Sequence, residues 1–511
     1  MNIPINILLD YCDQEVKEGR EANFVKNLAY IIENTHQIPE PDQILGYIGS
    51  SAPPKTPRRT QYEHSNLKFK SLYVRCIRKY PDNGKFYRLD FTSDNGIPIS
   101  CVYIGRNGVG KTTLFHALEM TMLGRLESID KVEMEKDERT DYMKNLFSPH
   151  PENGMAVIET VSSFQKEKQL LYRVSGDSSE YRFPPACLCS GRDIETLIQG
   201  GIKKEFIAEQ LNLENLRILV ENLREAHEKY KEDNRDLEEA KLLLLKLESD
   251  STQQDSLDIQ IKECQTNIDK LKEMNNALTK SESDISEFVN CKEYLENRYK
   301  EFLEKLATRA TDILNKLVSD FMGDDIKEAE IIYDGYLSLS IIITPRNPYS
   351  TDSTSILKVS PAFYLNNFRQ KLFYVAFKAA LFLFAREYYG NNYPFIIDDI
   401  FDSSDFENRD KVMSFMNKLH CLGDNEKDKN LTTGSLQVIL FTQDDVIAEE
   451  AYRGMRQSGV PAKFARIFEW DQIEDGDKER PGYYRDFQVI DDTRNVDNLD
   501  KFQSIRIEDV L

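Results

Sequence analysis

Apolar residues recur along the chain with two different periods, and each change from one to the other marks a new kind of element. Short continuous or alternating apolar runs at 72–77, 86–91, 99–104, 155–164 and 170–174 read as strands. Between them, Thr112–Leu123 has helical apolar spacing and is closed by Gly124. From Leu216 the period becomes heptad. Leu216, Leu223, Tyr230, Leu237 and Leu244 share one position, Leu219, Ala226, Asp233, Ala240 and Leu247 the other, and only Asp233 breaks the seam. After the polar break Ser249-Asp250-Ser251-Thr252, Leu257, Ile261, Cys264, Ile268, Leu271, Leu278 and Ile285 continue at spacings of four and three, interrupted by Asn275 and Glu282. The pattern slips by about one residue near Phe288 and resumes through Leu295, Tyr299, Phe302, Leu306, Ile313 and Leu317.

Two seams joined by a short break predict an antiparallel coiled-coil hairpin whose first arm is roughly 50 Å long at 1.5 Å per residue. A compact helical bundle would use the same seam. Strand character returns at 330–333 and 336–344, followed by a long helix, Phe363–Tyr389, an apolar strand, Tyr393–Ile397, a helix, Asp405–Leu419, and a strand, Leu436–Thr442. The expected fold is an α/β core split into two lobes by the inserted helices. Ahead of it, Val16–Glu33 reads as one helix and Ser50–Pro57 as a linker. The expected divisions are 1–62 (helical extension and linker), 63–205 (first lobe), 206–322 (coiled coil), 323–470 (second lobe) and 471–511 (acidic tail).

The chemistry sits where the strands end. Gly105-Arg106-Asn107-Gly108-Val109-Gly110-Lys111-Thr112 fits the phosphate-binding pattern G-x-x-x-x-G-K-[ST], and it has the strand before it and the helix after it that the pattern requires. Gly105, Gly108 and Gly110 let backbone amides curl around phosphate oxygens, and Asn107 and Thr113 belong to the same candidate nucleotide-binding set. Lys111 is expected to reach the β and γ phosphates, and Thr112 to hold Mg²⁺. An acidic pair, Asp398-Asp399, closes the apolar run Phe395-Ile396-Ile397, 287 residues beyond Lys111. Asp398 is the candidate metal-orienting carboxylate and Asp399 the candidate water-positioning one. A solvated strand end would look the same, so the pair gains weight from the P-loop. ATP and Mg²⁺ are the expected ligands.

Net charge is −21, which excludes a surface that binds nucleic acid indiscriminately. It leaves room for a local patch. Lys55, Arg58, Arg59, Lys68, Lys70, Arg75, Arg78, Lys79, Lys85 and Arg88 face only Glu63 and Asp82 between positions 55 and 88, with aromatic residues interleaved. Such a stretch could contact double-stranded DNA, form a solvated face, or dock an acidic partner. The eight cysteines are scattered, which suits reduced thiols, and no run approaches the 18 apolar residues of a membrane span, so a cytoplasmic protein is expected.

The chain resembles the ABC-type ATPases of the SMC, RecF and RecN branch, over roughly 66–470 in architecture and most specifically at Gly105–Thr113 and Ile396–Asp405. The resemblance implies an ABC-type ATPase head and a homodimer or higher oligomer in which ATP is sandwiched between two subunits. It assigns Asp405 to the D-loop and Gln443 to the switch position, where a histidine is usual. The signature motif is replaced by Leu365-Asn366-Asn367-Phe368-Arg369-Gln370, in which Asn366 and Asn367 could bond a γ-phosphate and Arg369 add charge. Asp399 stands where a glutamate is usual, and glycine stands near Cys189-Ser190-Gly191-Arg192-Asp193, where a Q-loop glutamine is often found. These departures imply slow hydrolysis. With its short coiled coil lacking a Cys-x-x-Cys hook, the chain is similar to small SMC-like ATPases encoded beside nucleases in anti-phage operons, the PtuA type of Septu among them. That similarity implies a partner nuclease or effector and a defence role. A hydrolysis-deficient scaffold that sequesters an effector, and a RecF-like or RecN-like repair ATPase, are the alternatives.

Overall fold

The computed structural model describes residues 3–48, 50, 55, 67–78, 80, 85–126, 142–146, 148–161, 167–174, 183–200, 202, 205–249, 254–278, 282–323, 326–333, 337–343, 357–390, 392–401, 409–423, 436–467, 470–471, 483–484, 487–489, 498–500 and 505–506. It divides into two compact units, Met1–Tyr62 with Asn212–Glu304, and Glu63–Leu211 with Lys305–Leu511.

The first unit is helical. The expected helix Val16–Glu33 spans the end of α1 (Ile3–Lys17), a break, and most of α2 (Asn23–Thr35), and α3 (Pro41–Gly46) follows. The expected single helix is interrupted because Gly19 takes a left-handed φ of +74° and Arg20 folds back to pair with Glu15, 2.6 Å away, closing α1. α2 has no side-chain cap of its own. The buried Glu287 carboxylate supplies one from afar, accepting from the amides of Val25 (2.9 Å) and Phe24 (3.4 Å). Glu287 belongs to α8 (Glu282–Val318), the third long helix after α6 (Glu214–Ser249) and α7 (Gln254–Leu278).

α6 and α7 pair as the heptads predict, with Leu237, Cys264 and Ile268 forming their buried seam and Ala240, Leu244 and Leu271 beside it. The slip near Phe288 has a physical cause. In α8, Phe288 packs on Phe24 (5.5 Å between ring centroids) and His227 (6.0 Å) rather than on α7. Tyr11 meets Tyr294 at 5.2 Å, Asn222 donates to the Pro39 carbonyl (2.9 Å) and Lys229 pairs with Asp42 (3.0 Å). Hairpin and bundle readings therefore each describe part of this unit: α6 and α7 form the hairpin, while α1–α3 pack on α6 and α8.

The second unit is α/β. Its main sheet contains, in spatial order, β6 (Leu188–Ser190), β10 (Phe395–Asp398), β11 (Val438–Thr442), β3 (Ser100–Gly105) and β12 (Ala462–Ile467), each parallel to its neighbours. β3, β10 and β11 are buried on both faces, which explains their continuous apolar runs. Two short strands of the tail, Phe487–Val489 and Asn498–Asp500, extend the sheet antiparallel beyond β12. Because the central strands are parallel, β3, β11 and β10 all end at one edge, with Ile104 opposite Thr442 and Phe441 opposite Asp398. That alignment brings the P-loop and the acidic pair together despite their separation in sequence.

A second, antiparallel sheet, β2 (Lys85–Asp90), β1 (Lys68–Arg75), β4 (Met155–Val161) and β5 (Glu167–Arg173), is tied to the first by the buried Gln437 amide. Its oxygen accepts from Phe69 N (2.8 Å) and its nitrogen donates to the carbonyls of Phe69 (2.9 Å) and Ile99 (3.0 Å). A third sheet comprises β7 (Ile326–Tyr333), β8 (Leu337–Ile343) and β9 (Leu357–Val359). The side chains of Thr311 and Asn315 bond the β7 backbone at Ile331 and Ala329, so a helix face satisfies that strand edge.

The expected helix Phe363–Tyr389 begins later, as α9 (Asn367–Tyr389), after the single turn Pro361–Tyr364, because Asn366 in an extended conformation caps it. α9 lies along β10, with Phe382 stacked on Phe395 (5.0 Å) and Phe368 near Phe401 (6.2 Å).

Candidate functional site

The P-loop geometry follows from its glycines. Gly108 and Gly110 have φ of +87° and +94°, values that favour residues without a Cβ, and Gly110 leads directly into α4 (Lys111–Leu123). A Cβ on Gly105 would lie 2.7 Å from Val109 Cγ2, so the close turn requires glycine there too. Lys111 is buried and folds back over the loop, donating to the carbonyls of Gly105 (2.8 Å) and Arg106 (3.2 Å). Burial pulls its pKa down, while Asp399 and Asp398 pull the other way. An ammonium held at the mouth of a helix N-terminus is well placed to exchange those carbonyls for phosphate oxygens. Asn107 is exposed on the loop and Thr113 is buried in the first turn.

Thr112 and Asp398 meet. The Asp398 carboxylate is buried and pushed up to about 7, first by burial and then by Asp399, against the opposing pull of nearby Lys111 and Thr112. The Oδ1 atom of Asp398 is buried and has no hydrogen-bond partner. A buried carboxylate oxygen left unsatisfied beside a threonine hydroxyl fits a hard divalent cation, whose preferred ligands are oxygens.

Asp399 adopts a left-handed φ of +44°, which aspartate tolerates better than most residues. Its amide donates to Phe441 O (2.9 Å), and its Oδ1 accepts from Gln443 N (3.1 Å). Gln443 is exposed at the end of β11, between the P-loop strand and the acidic pair. Asp444 caps α10 (Asp445–Gln457), accepting from Val446 N (2.8 Å) and Ile447 N (2.9 Å), so the turn after β11 is held from both sides.

The signature-like residues stand at the start of α9. The side-chain oxygen of Asn366 accepts from Arg369 N (2.9 Å) and is committed to the cap; Asn367 is exposed and Arg369 half-buried, its Nε without a partner. Asp405 lies outside the described residues.

Sequence reading missed the corner beside Asp399. α5 (Gly191–Gly200) starts there, and Asp193 forms a 3.4 Å ion pair with Lys378 of α9, both nearly inaccessible. The only signal was a lysine inside the apolar stretch Val375–Leu383. A second cluster joins Arg78 Nη1 to the Tyr142 hydroxyl (2.9 Å) and His116 Nδ1 (3.3 Å), and burial with nearby Arg78 and Arg192 pulls His116 down to about 3.

The basic stretch is not an open stripe among the described residues. Lys68 and Arg75 are buried, Lys70 lies 3.9 Å from Glu159, Arg88 lies 3.5 Å from Asp90, and Arg78 belongs to the His116 cluster. β1 carries Lys68 and Arg75 into the packing of the antiparallel sheet, while Lys55 is exposed. Arg58, Arg59, Lys79 and the side chain of Lys85 fall outside what the structure describes. Among the described residues no helix is long and apolar enough to cross a membrane.

No protein-family model and no curated protein sequence matches the chain. Among solved structures it is similar to the Smc head domain with an extended coiled coil from Pyrococcus furiosus, bound to the C-terminal domain of ScpA, over 87% of this chain and 98% of that one (TM-score 0.44, 14% identity). It is also similar to the Smc head domain with a coiled coil and joint from Pyrococcus yayanosii, over 84% and 98% (TM-score 0.41, 13% identity). A third likeness is to the recombination mediator protein RecF with ATP, of the RecFOR pathway, over 76% and 95% (TM-score 0.35, 14% identity).

Proposed function

We propose that this chain is an SMC/RecF-like ABC-type ATPase that binds ATP with Mg²⁺, closes on it as a homodimer and hydrolyses it slowly. The observation that carries this reading is the buried Asp398 Oδ1 without a partner, beside Thr112 and within the field of Lys111. Gly105, Asn107, Gly108, Gly110, Lys111, Thr112 and Thr113 bind the triphosphate, and Thr112 and Asp398 hold the cation. Mg²⁺ neutralises charge on the β and γ phosphates when bound. Lys111 leaves the Gly105 and Arg106 carbonyls for phosphate oxygens. Asp399 orients the attacking water, with Gln443 adjacent. Asn366, Asn367, Arg369 and Asp405 act on the nucleotide of the second copy.

Slow turnover is supported by aspartate at 399, one methylene shorter than a glutamate, whose Oδ1 is also drawn toward the Gln443 amide. The same features favour a second reading, in which ATP is a clamp and the protein a scaffold for an effector. We further propose a partner effector or nuclease, in the setting of anti-phage defence, with double-stranded DNA as a candidate signal. Turnover and ATP-dependent self-association decide between the readings. Hydrolysis by purified protein that DNA stimulates and Lys111→Ala abolishes sinks the scaffold. Lys111-dependent ATP binding without turnover, with or without DNA, sinks the hydrolase.

A further inference from the structure

Buried ion pairs are costly, because desolvating two charges consumes most of their attraction, and an apolar pair of the same volume is often as stable. Lys378 and Asp193 are 2% and 6% exposed, so stability alone gives little reason for them. Their position gives another. Asp193 and Ser190 cap one another at the start of α5: Asp193 N donates to Ser190 Oγ (3.1 Å), and Ser190 N approaches Asp193 Oδ2 (3.4 Å). Ser190 is the register partner of Asp398. The next residue, Gly191, lies so close to Asp399 that a Cβ would sit 3.0 Å from its carbonyl oxygen. The first turn of α5 thus rests on the backbone of the acidic pair, and the oxygen that caps this turn, Asp193 Oδ2, also takes the Lys378 ammonium at 3.4 Å. Lys378 in turn rides on α9, which flanks both ends of β10 through Phe382 and Phe368.

We propose that the Lys378–Asp193 pair is a positioning device for the nucleotide site: it locks α5 to α9 and so fixes, through Gly191, the backbone that aims Asp398 and Asp399. The assignment rests on the nucleotide-site reading above. A displacement of about 1 Å at such a corner is enough to slow a reaction by orders of magnitude without weakening substrate binding. α9 carries the signature-like residues at its N-terminus, so the pair also links that face to the carboxylates.

The test uses the full-length protein with Lys378→Met, Lys378→Arg and the double variant Lys378→Met/Asp193→Leu, following Tm, ATP affinity, kcat and KM, and Mn²⁺ affinity in the presence of nucleotide. Lys378→Met is expected to lower kcat by at least about tenfold with KM changed by less than about threefold, and Lys378→Arg to recover most of the loss. The double variant is expected to regain the wild-type Tm but not kcat. A kcat within about twofold of wild type in Lys378→Met, or full recovery in the double variant, overturns the proposal. Should the wild type bind ATP through Lys111 yet not turn it over, the hydrolytic reading fails while this one is decided by Mn²⁺, expected to bind about tenfold more weakly in Lys378→Met; an unchanged affinity overturns it. Absence of Lys111-dependent ATP binding overturns both.

Discussion

Thr112, at the second position of the P-loop helix, stands close enough to Asp398, at the end of a strand two places away in the sheet, to lower the pKa of its carboxylate. This approach brings the glycine loop and the acidic strand end together, and Asp398 Oδ1 is buried without a hydrogen-bond partner. Removing a group from water without a partner costs free energy, which a cation held there as proposed would offset.

Metal binding should therefore be proton-linked. The Asp398 pKa is raised from 3.8 to about 7 in the folded protein, so without metal the folded state holds this proton more firmly than the unfolded state, and the group's contribution to stability falls as pH rises from about 4 to 7. A cation must displace that proton. Mg²⁺ or Mn²⁺ affinity in the presence of ATP should rise between pH 6 and 8 with release of up to about one proton, measured by calorimetry in buffers of different ionisation enthalpy. Asp398→Asn should raise the metal-free Tm at pH 8 and remove most metal affinity; an affinity independent of pH would contradict the assignment.

Lys111 and Asp399 should separate binding from chemistry. Lys111→Ala removes a charge-assisted contact to phosphate and should weaken ATP binding by about 30-fold or more. Asp399→Asn keeps the side-chain shape and an oxygen able to accept from Gln443 N. It should leave ATP affinity within about threefold while lowering kcat by about 10²-fold. Equal losses of affinity in both variants would show that Asp399 holds substrate rather than water.

The cap that Glu287 provides to α2 should be measurable as stability of the helical unit. Glu287→Ala leaves two buried amides without acceptors and should cost about 1–2 kcal/mol, read from denaturant unfolding followed by circular dichroism. Burial raises the Glu287 pKa from 4.5 to about 7, so its contribution declines as pH rises through that interval. Glu287→Gln should abolish the decline, and an unchanged pH slope would contradict it.

His420 is fully buried, neither ring nitrogen has a hydrogen-bond partner, and burial with nearby Arg386 and Lys68 pulls its pKa from 6.5 down to about 3. The unfolded chain then binds a proton that the folded one rejects, so stability is lost progressively as pH falls below about 6.5, and the loss levels off near 3. His420→Leu removes both the unsatisfied donor and the titration. The variant should be at least as stable as wild type at pH 7, by up to about 1 kcal/mol, and less sensitive to acid. A loss above about 2 kcal/mol at pH 7 would point to a packing role for the ring.

The local geometry of the candidate site was legible in the sequence where it is set within one turn. The glycines at 105, 108 and 110 are demanded by backbone angles and close approach within one turn, and Lys111 and Thr112 follow them at fixed spacing. The heptad seam was legible for a similar reason, since Leu237 and Ile268 report their burial through period alone. The break between α1 and α2 was less so, because it depends on Arg20 folding back to Glu15 and on a cap from Glu287, more than 260 residues away.

What the sequence by itself determined, then, is the set of parts: a phosphate loop between strand and helix, an acidic strand end, and a heptad insertion dividing the core. Periodicity and glycine sterics act over a few residues, and they need no knowledge of the rest of the chain. Only the tertiary structure decided how the parts are aimed. The parallel order of β3, β11 and β10 brings Asp398 beside Thr112, the antiparallel sheet buries Lys68 and Arg75, and Lys378 meets Asp193 across 185 residues. Each of these relations is paid for by desolvation of charged groups, and that cost is offset only when distant elements pack, so no local pattern announces it.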